Sequence, residues 1–181
     1  LLNNAILETA RAGELVRRIR NFIESGDLNL DYVDLNAAIK QGIDLALVAN
    51  SLTELQVDLV RNDSLPELLI DQVQIGQVVF NLMRNSMMSM ADAELQKITI
   101  QILRTDGFAE VHVRDTGSGV LPGLHKYLFE PFQNSSGDGM GIGLSLCRSI
   151  VEAHDGRIWA NTPESGAEFV FQIPIRERPD E

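Results

Sequence analysis

What this 181-residue chain has little of constrains it first. A single cysteine, Cys147, excludes an internal disulfide. Its place inside an apolar helical stretch reads as packing rather than a reactive thiol, which fits a reducing compartment. Positive charge is scarce: 15 Lys and Arg stand against 26 Asp and Glu, for a formal net charge of −11. Nucleic acid or an anionic membrane would call for a basic face, so neither is expected as the main partner. No apolar run is long enough to cross a bilayer and no charged-then-apolar leader opens the chain. Membrane contact is therefore not expected of these residues, and a cytoplasmic setting is. Internal repeats and low-complexity tracts are missing too. The chain opens Leu1-Leu2 without Met and reads as a piece of something larger.

Most conspicuous among what is there is Gly139-Met140-Gly141-Ile142-Gly143-Leu144, alternating glycines that pass directly into an amphipathic helix reaching His154. Glycines let backbone approach a ligand closely, and the free N–H groups and dipole of a first helical turn favour phosphate oxygens. Taken alone, the run is equally a flexible turn before a helix. An acidic protein that binds phosphate must focus positive charge locally or recruit a cation such as Mg²⁺.

Residues 1–25 carry two neighbouring apolar stripes, one through Leu2, Ile6, Val16 and Ile23 and one through Leu1, Ala5, Leu15, Ile19 and Phe22. The spacing predicts one long helix of a four-helix bundle that this chain cannot complete alone, so a partner helix is implied. The cluster Arg17-Arg18-Arg20 is either a docking patch for an acidic partner or, more simply, a solvated face. Gly26-Asp27 ends the helix.

Beyond it the pattern becomes a compact alternation. Strands are expected at Tyr32–Leu35, Glu54–Val60, Leu68–Ile70, Ile98–Leu103, Phe108–Arg114, Arg157–Ala160 and Glu168–Ile173. One helix, capped by Asp34 or Asn36, should run through Ala49, and a second, capped by Asp71, from Gln72 to about Met90. Val73, Gly76, Val79, Phe80, Met83 and Met87 are its inward candidates. Asp106-Gly107 is the sharpest hairpin signal. Three helices on one face of a mixed, mostly antiparallel sheet make an α+β two-layer sandwich. The chain divides into a partial helical region, 1–27, and a main domain, 28–181.

Asn81 and Asn85, four apart on the second helix, share a face amid apolar neighbours. Their amide oxygens are hard ligands suited to one position on a Mg²⁺ otherwise held by water and phosphate, although such a pair can also simply bridge local backbone. Asp115 closes a strand and leads Gly117 and Gly119. Its carboxylate can accept from an exocyclic amine such as that of adenine, or serve only the turn.

In order and spacing these pieces resemble sensor histidine kinases of two-component systems. Gln77–Asn85 is similar to the N box, Asp115-Thr116-Gly117-Ser118-Gly119 to the G1 box, Phe129-Glu130-Pro131-Phe132 to the F box and Gly139–Leu144 to the G2 box. Ala12-Gly13-Glu14 with Arg17-Arg18-Ile19-Arg20 resembles the second dimerisation helix of the FixL-like subgroup. The resemblance implies a Bergerat-type ATP-binding fold preceded by the last helix of a dimerisation and phosphotransfer bundle, and a dimer formed through that helix. It implies transfer of the γ-phosphoryl of Mg²⁺-ATP to a histidine, for relay to the receiver domain of a response regulator. Carried over position by position, Asp115 binds the adenine amine with Gly117 and Gly119 beside it, and Asn85 holds the Mg²⁺. Asn81 serves the phosphate and metal surroundings, and Gly139, Met140, Gly141, Ile142, Gly143 and Leu144 cradle the phosphates. Phe129–Asp138, including Phe132, is implied to be a mobile ATP lid.

Two departures stand out. Asn134-Ser135-Ser136 replaces the Thr-Thr-Lys of many relatives and removes a lid cation able to reach the γ-phosphate. Asp155-Gly156 replaces a Gly-Gly, and His154 reads as structural. Two other functions compete: an ATP hydrolase of the gyrase type, and a degenerate nucleotide-binding or dimerisation module. Hydrolases of that kind place a glutamate base four residues before the magnesium asparagine, where this chain has Asn81, whose amide cannot accept the proton.

Overall fold

Alternation along the strands sets the architecture. The computed structural model describes residues 28–49, 54–120, 123, 127–131, 142–176 and 178. The helix expected over 1–25 lies outside them, as do Phe132, Ser136, Gly139, Met140 and Gly141. Strands β1 (Asp31–Val33), β2 (Gln56–Val60), β3 (Leu68–Ile70), β4 (Lys97–Thr105), β5 (Phe108–Asp115), β6 (Arg157–Asn161) and β7 (Glu168–Pro174) are joined by helices α1 (Leu35–Val48), α2 (Gln72–Ser89) and α3 (Gly143–Ala153).

Five strands form one sheet in the order β2-β4-β5-β7-β6. Only β2 and β4 run parallel, because the chain between them crosses over through β3 and α2; the other pairs are antiparallel. The Asp106-Gly107 turn closes β4 on β5 with Ile98 opposite Asp115 and Thr105 opposite Phe108. That register carries Asp115 to the end of the sheet remote from the turn.

Every second residue of the central strands enters the core. Ile98, Ile100, Ile102, Ala109, Val111, Val113, Phe169, Phe171 and Ile173 are buried, while Glu110, His112 and Arg114 face outward. The helices cover the apolar face with Ala38 and Ile39, with Ile75, Val78, Val79, Leu82 and Met83, and with Leu146, Cys147, Ile150 and Val151. Each such large side chain contributes about 1.5–3 kcal/mol by leaving water. The three helices on one sheet face are the two-layer α+β arrangement expected.

Local chemistry starts the helices. Asp34 accepts from the Asn36 amide at 2.9 Å and caps α1, so Leu35 opens the helix instead of closing β1. Asp71 accepts from the Gln74 amide at 3.1 Å and caps α2. Two expectations need correction. The short strands β1 and β3 do not join the main sheet but form their own antiparallel pair, with Asp31 opposite Ile70, which brings the two capped helix starts together. Val73 points to solvent at 68% exposure and Phe80 is only half-buried. Val73, Phe80 and Met87 lie seven apart along the rim of the apolar face, whose centre runs through Ile75, Val79 and Leu82.

His154 ties the far ends of two helices. Its Nε2 accepts from the Asp71 amide at 3.0 Å, and its Nδ1 lies 2.8 Å from the Ile150 carbonyl. The ring is buried and serves as an acceptor on one nitrogen and a donor on the other, which is the neutral tautomer. The C-terminus of α3 is thereby held against the N-cap of α2, in keeping with a structural role.

Candidate functional site

Helix α2, the end of β5 and the start of α3 converge on one region. Asn81 and Asn85 lie on the same face of α2, and a Cβ added to Gly143 would stand 3.8 Å from Asn81 Oδ1, so the first turn of α3 abuts that face. Their Nδ2 atoms are both buried without a hydrogen-bond partner among the described residues. Buried amide donors left this way cost free energy unless a ligand completes them.

The start of α3 differs from the other two helix starts. Asp34 and Asp71 cap α1 and α2, whereas Ile142 stands before α3 and no side chain caps that helix among the described residues. Ser145 instead turns its hydroxyl back to the Ile142 carbonyl at 2.9 Å. An uncapped first turn leaves N–H groups and the positive dipole end available to an anion.

Asp115 is held from one side only. Its Oδ1 accepts from the Gly117 amide at 2.9 Å and the Ala167 amide at 3.1 Å, with the Ser89 hydroxyl at 3.4 Å. Its Oδ2 is buried and has no partner among the described residues. The two backbone donors on one oxygen, with the Ser89 proton shared between it and the Ser86 carbonyl, fix the rotamer and leave the other oxygen as a bare acceptor among the described residues. Two glycines permit this packing. A Cβ on Gly117 would run into the hydroxyl and carbonyl of Ser89, and one on Gly166, at φ +76°, into the Asp115 carbonyl. Gly119 backs onto the Gly166 carbonyl.

Nearby, Phe129 meets Phe169 of β7 edge to face, with ring centroids 6.5 Å apart at 89°. Cys147 is fully buried beside Asn81 and the Val78 carbonyl, with Sγ to O at 3.7 Å. Burial pushes its thiol up to about 12, against smaller opposing effects of the Asn81 side chain and its own backbone. A thiol this reluctant to ionise is no nucleophile at neutral pH.

Of the residues singled out from sequence, Asn81, Asn85, Asp115, Gly117, Gly119, Ile142, Gly143 and Leu144 lie among the described residues, around this one region. Sequence reasoning missed Ser89, Gly166 and Ala167, which hold Asp115 in place. Ser89 carried a signal, since it continues the four-residue spacing of Asn81 and Asn85; Gly166 and Ala167, 51 and 52 positions beyond Asp115, carried none.

The donor set also bears on a metal. Among the described residues no group of three or more His, Cys, Asp or Glu is placed to hold one. A cation bound here would rely on amide oxygen, water and the ligand's own phosphates, which suits Mg²⁺ arriving with a nucleotide.

Residues 70–177 match the family described as histidine kinase-, DNA gyrase B- and HSP90-like ATPase. The chain belongs to this family. Within it, the chain is 35% identical over 178 residues to the sensor protein FixL of Bradyrhizobium diazoefficiens, covering 97% of this chain and 35% of FixL. Among solved structures, the catalytic domain of histidine kinase ThkA superposes with a TM-score of 0.72 at 29% identity, covering 82% of this chain and 97% of that one. ThkA in complex with the response regulator protein TrrA superposes at 0.76 and 26% identity, over 94% of this chain and 49% of that one. This member of the ATPase family is thus homologous to sensor histidine kinases. It spans about a third of the length of the curated relatives it matches. No helix among the described residues is long and apolar enough to cross a membrane.

Proposed function

We propose that this chain is the ATP-binding catalytic region of a sensor histidine kinase, which binds Mg²⁺-ATP and directs its γ-phosphoryl to a histidine outside the chain. The observation that carries the reading is the set of buried polar atoms that lack a partner among the described residues, Asp115 Oδ2 at one end and Asn81 Nδ2 and Asn85 Nδ2 at the other, beside a helix start that none of those residues caps. Asp115 accepts from the adenine amine. The first turn of α3, with Gly139, Met140 and Gly141 before it, receives the phosphates. Asn85 lends its amide oxygen to the metal, and Asn81 orients the phosphate and metal surroundings. Phe132 belongs to the lid that covers the nucleotide. Bound Mg²⁺ would neutralise phosphate charge as the β–γ bond breaks.

The acceptor is none of the three histidines. His112 stands between Glu110, at 3.3 Å, and Glu168, at 3.5 Å, in the middle of a strand. His154 has both ring nitrogens engaged inside the fold. His125 is followed by Lys126 and lacks the acidic neighbour of an acceptor motif. Residues 1–27 would be the second helix of a dimerisation and phosphotransfer domain, pairing with a second copy, and 28–181 the catalytic domain. The final recipient would be a response-regulator aspartate, in the cytoplasm. Hydrolysis of the gyrase type is disfavoured by the amide at Asn81.

Incubation with γ-labelled ATP, followed by acid and base treatment, tests this. The 181-residue chain should bind Mg²⁺-ATP yet form no acid-labile phosphohistidine, and a longer chain carrying the upstream helix should form it. Stoichiometric labelling of the short chain would overturn the assignment of the acceptor. A longer chain that binds ATP without labelling would favour the degenerate module, with Ser136 in place of lysine the first residue to restore.

A further inference from the structure

One more polar atom beside this site lacks a partner. Ser86 has 0% exposure, and its Oγ makes no hydrogen bond among the described residues. Helical serines usually escape this by bonding a carbonyl three or four residues back. Ser89 does so to the Ser86 carbonyl at 2.9 Å, and Ser149 to that of Ser145 at 3.2 Å. Ser86 does not, and a buried hydroxyl left bare is costly unless something completes it.

Its surroundings point to what that is. Ser86 lies about 60° around α2 from Ser89, on the sheet-facing side with Leu82 and Met90. The Ser89 hydroxyl bonds the Ser86 backbone carbonyl and lies 3.4 Å from Asp115 Oδ1, so one side chain bridges the two residues that each hold a buried oxygen without a partner among the described residues. An exocyclic amine next to a ring nitrogen, the edge that adenine presents, offers a donor beside an acceptor. Reading it takes an acceptor beside a donor. Asp115 Oδ2 can only accept, and a hydroxyl is the group that can donate. Guanine presents the reverse order on the same edge.

We propose that Ser86 is the second base-reading residue of this site, its Oγ–H donating to the adenine ring nitrogen adjacent to the amine, directly or across one water molecule. The proposal rests on the ATP-binding reading above. It makes base selectivity the work of a pair, Asp115 for the amine and Ser86 for the ring nitrogen.

The test is calorimetric titration of wild type and Ser86→Ala with ATP and with 1-deaza-ATP, in which that ring nitrogen is a CH, alongside thermal unfolding without ligand. Ser86→Ala should bind ATP about five- to tenfold more weakly. Both proteins should bind 1-deaza-ATP alike, and the unliganded variant should melt no lower than wild type, because an unpaired group has been removed. A lower melting temperature with unchanged ATP affinity would make Ser86 a packing residue and overturn the proposal. Equal discrimination between ATP and 1-deaza-ATP by both proteins would also overturn it. Failure of the ATP-binding reading looks different: wild type would then bind neither compound, and both ideas would fall.

Discussion

The two ends of the candidate site are built in opposite ways. At the end proposed for the base, Asp115 is finished by the protein: two backbone amides hold one oxygen with the Ser89 hydroxyl nearby, glycines clear its surroundings, and among the described residues a single acceptor atom is left over. At the end proposed for the phosphates, Asn81 and Asn85 have buried donors without partners, and α3 has no side-chain cap, among the described residues. One end is hydrogen-bonded within the protein itself, which would suit selection among bases. The other is completed by the ligand's own oxygens, which suits a group whose charge must be handed on.

The largest expected effect breaks the hydrogen-bonded end. Gly166→Ala places a methyl against the Asp115 carbonyl at a positive φ, and should cost about 3–4 kcal/mol of stability. Chemical denaturation measures it, and a loss below about 1 kcal/mol would mean that the glycine cradle is dispensable.

Asn85→Ala tests the other end. It should weaken Mg²⁺-ATP by about 2 kcal/mol, roughly 30-fold, while leaving adenosine binding and stability nearly unchanged, since it deletes a donor that none of the described residues satisfies. Parallel titrations with and without Mg²⁺ separate the two ends; equal losses for ATP and adenosine would erase the distinction drawn between them.

Asp115→Asn sharpens the comparison more gently. The amide oxygen can keep the Gly117 and Ala167 donors on one side, but the other atom becomes a donor facing the proposed base position. Preference for ATP over GTP should narrow by about 1–2 kcal/mol in competition binding. An unchanged preference would reduce Asp115 to a turn residue.

The smallest effect at neutral pH lies between the ends, at Cys147. Its folded thiol is pushed up to about 12, above the ordinary value near 9. The raised value means that the stability tied to the neutral thiol is fully present below about pH 9 and is lost as pH climbs toward 12, by about 1.4 kcal/mol per unit. Cys147→Ala should remove that portion of the alkaline loss while costing about 1–2 kcal/mol at pH 7. Parallel alkaline profiles for the two proteins would contradict the burial argument.

Much of this was legible beforehand because it depends on short-range rules. Asp34 and Asp71 as caps, the Asp106-Gly107 hairpin and the strand alternation that buries Ile98, Ile100 and Ile102 follow from one or two turns of chain. The placement of Asn81 and Asn85 on one face needs only the helical period. Val73 misled because periodicity marks a line on a helix without saying where the covering layer ends. The β1–β3 pair was hidden because strands of three residues carry no information about their neighbours.

What the sequence alone determined is therefore the set of elements and the chemistry each one offers: two amides on a helix, a carboxylate at a strand end and glycines before a helix. Only the tertiary structure decided which polar atoms are already satisfied. Among the described residues, Asp115 Oδ1 is held by Gly117 and by Ala167, 52 positions away, while Oδ2 has no partner, and the Ser89 hydroxyl is paired while that of Ser86 is not. Hydrogen-bond satisfaction depends on contacts between elements distant in the chain, and no local pattern encodes it.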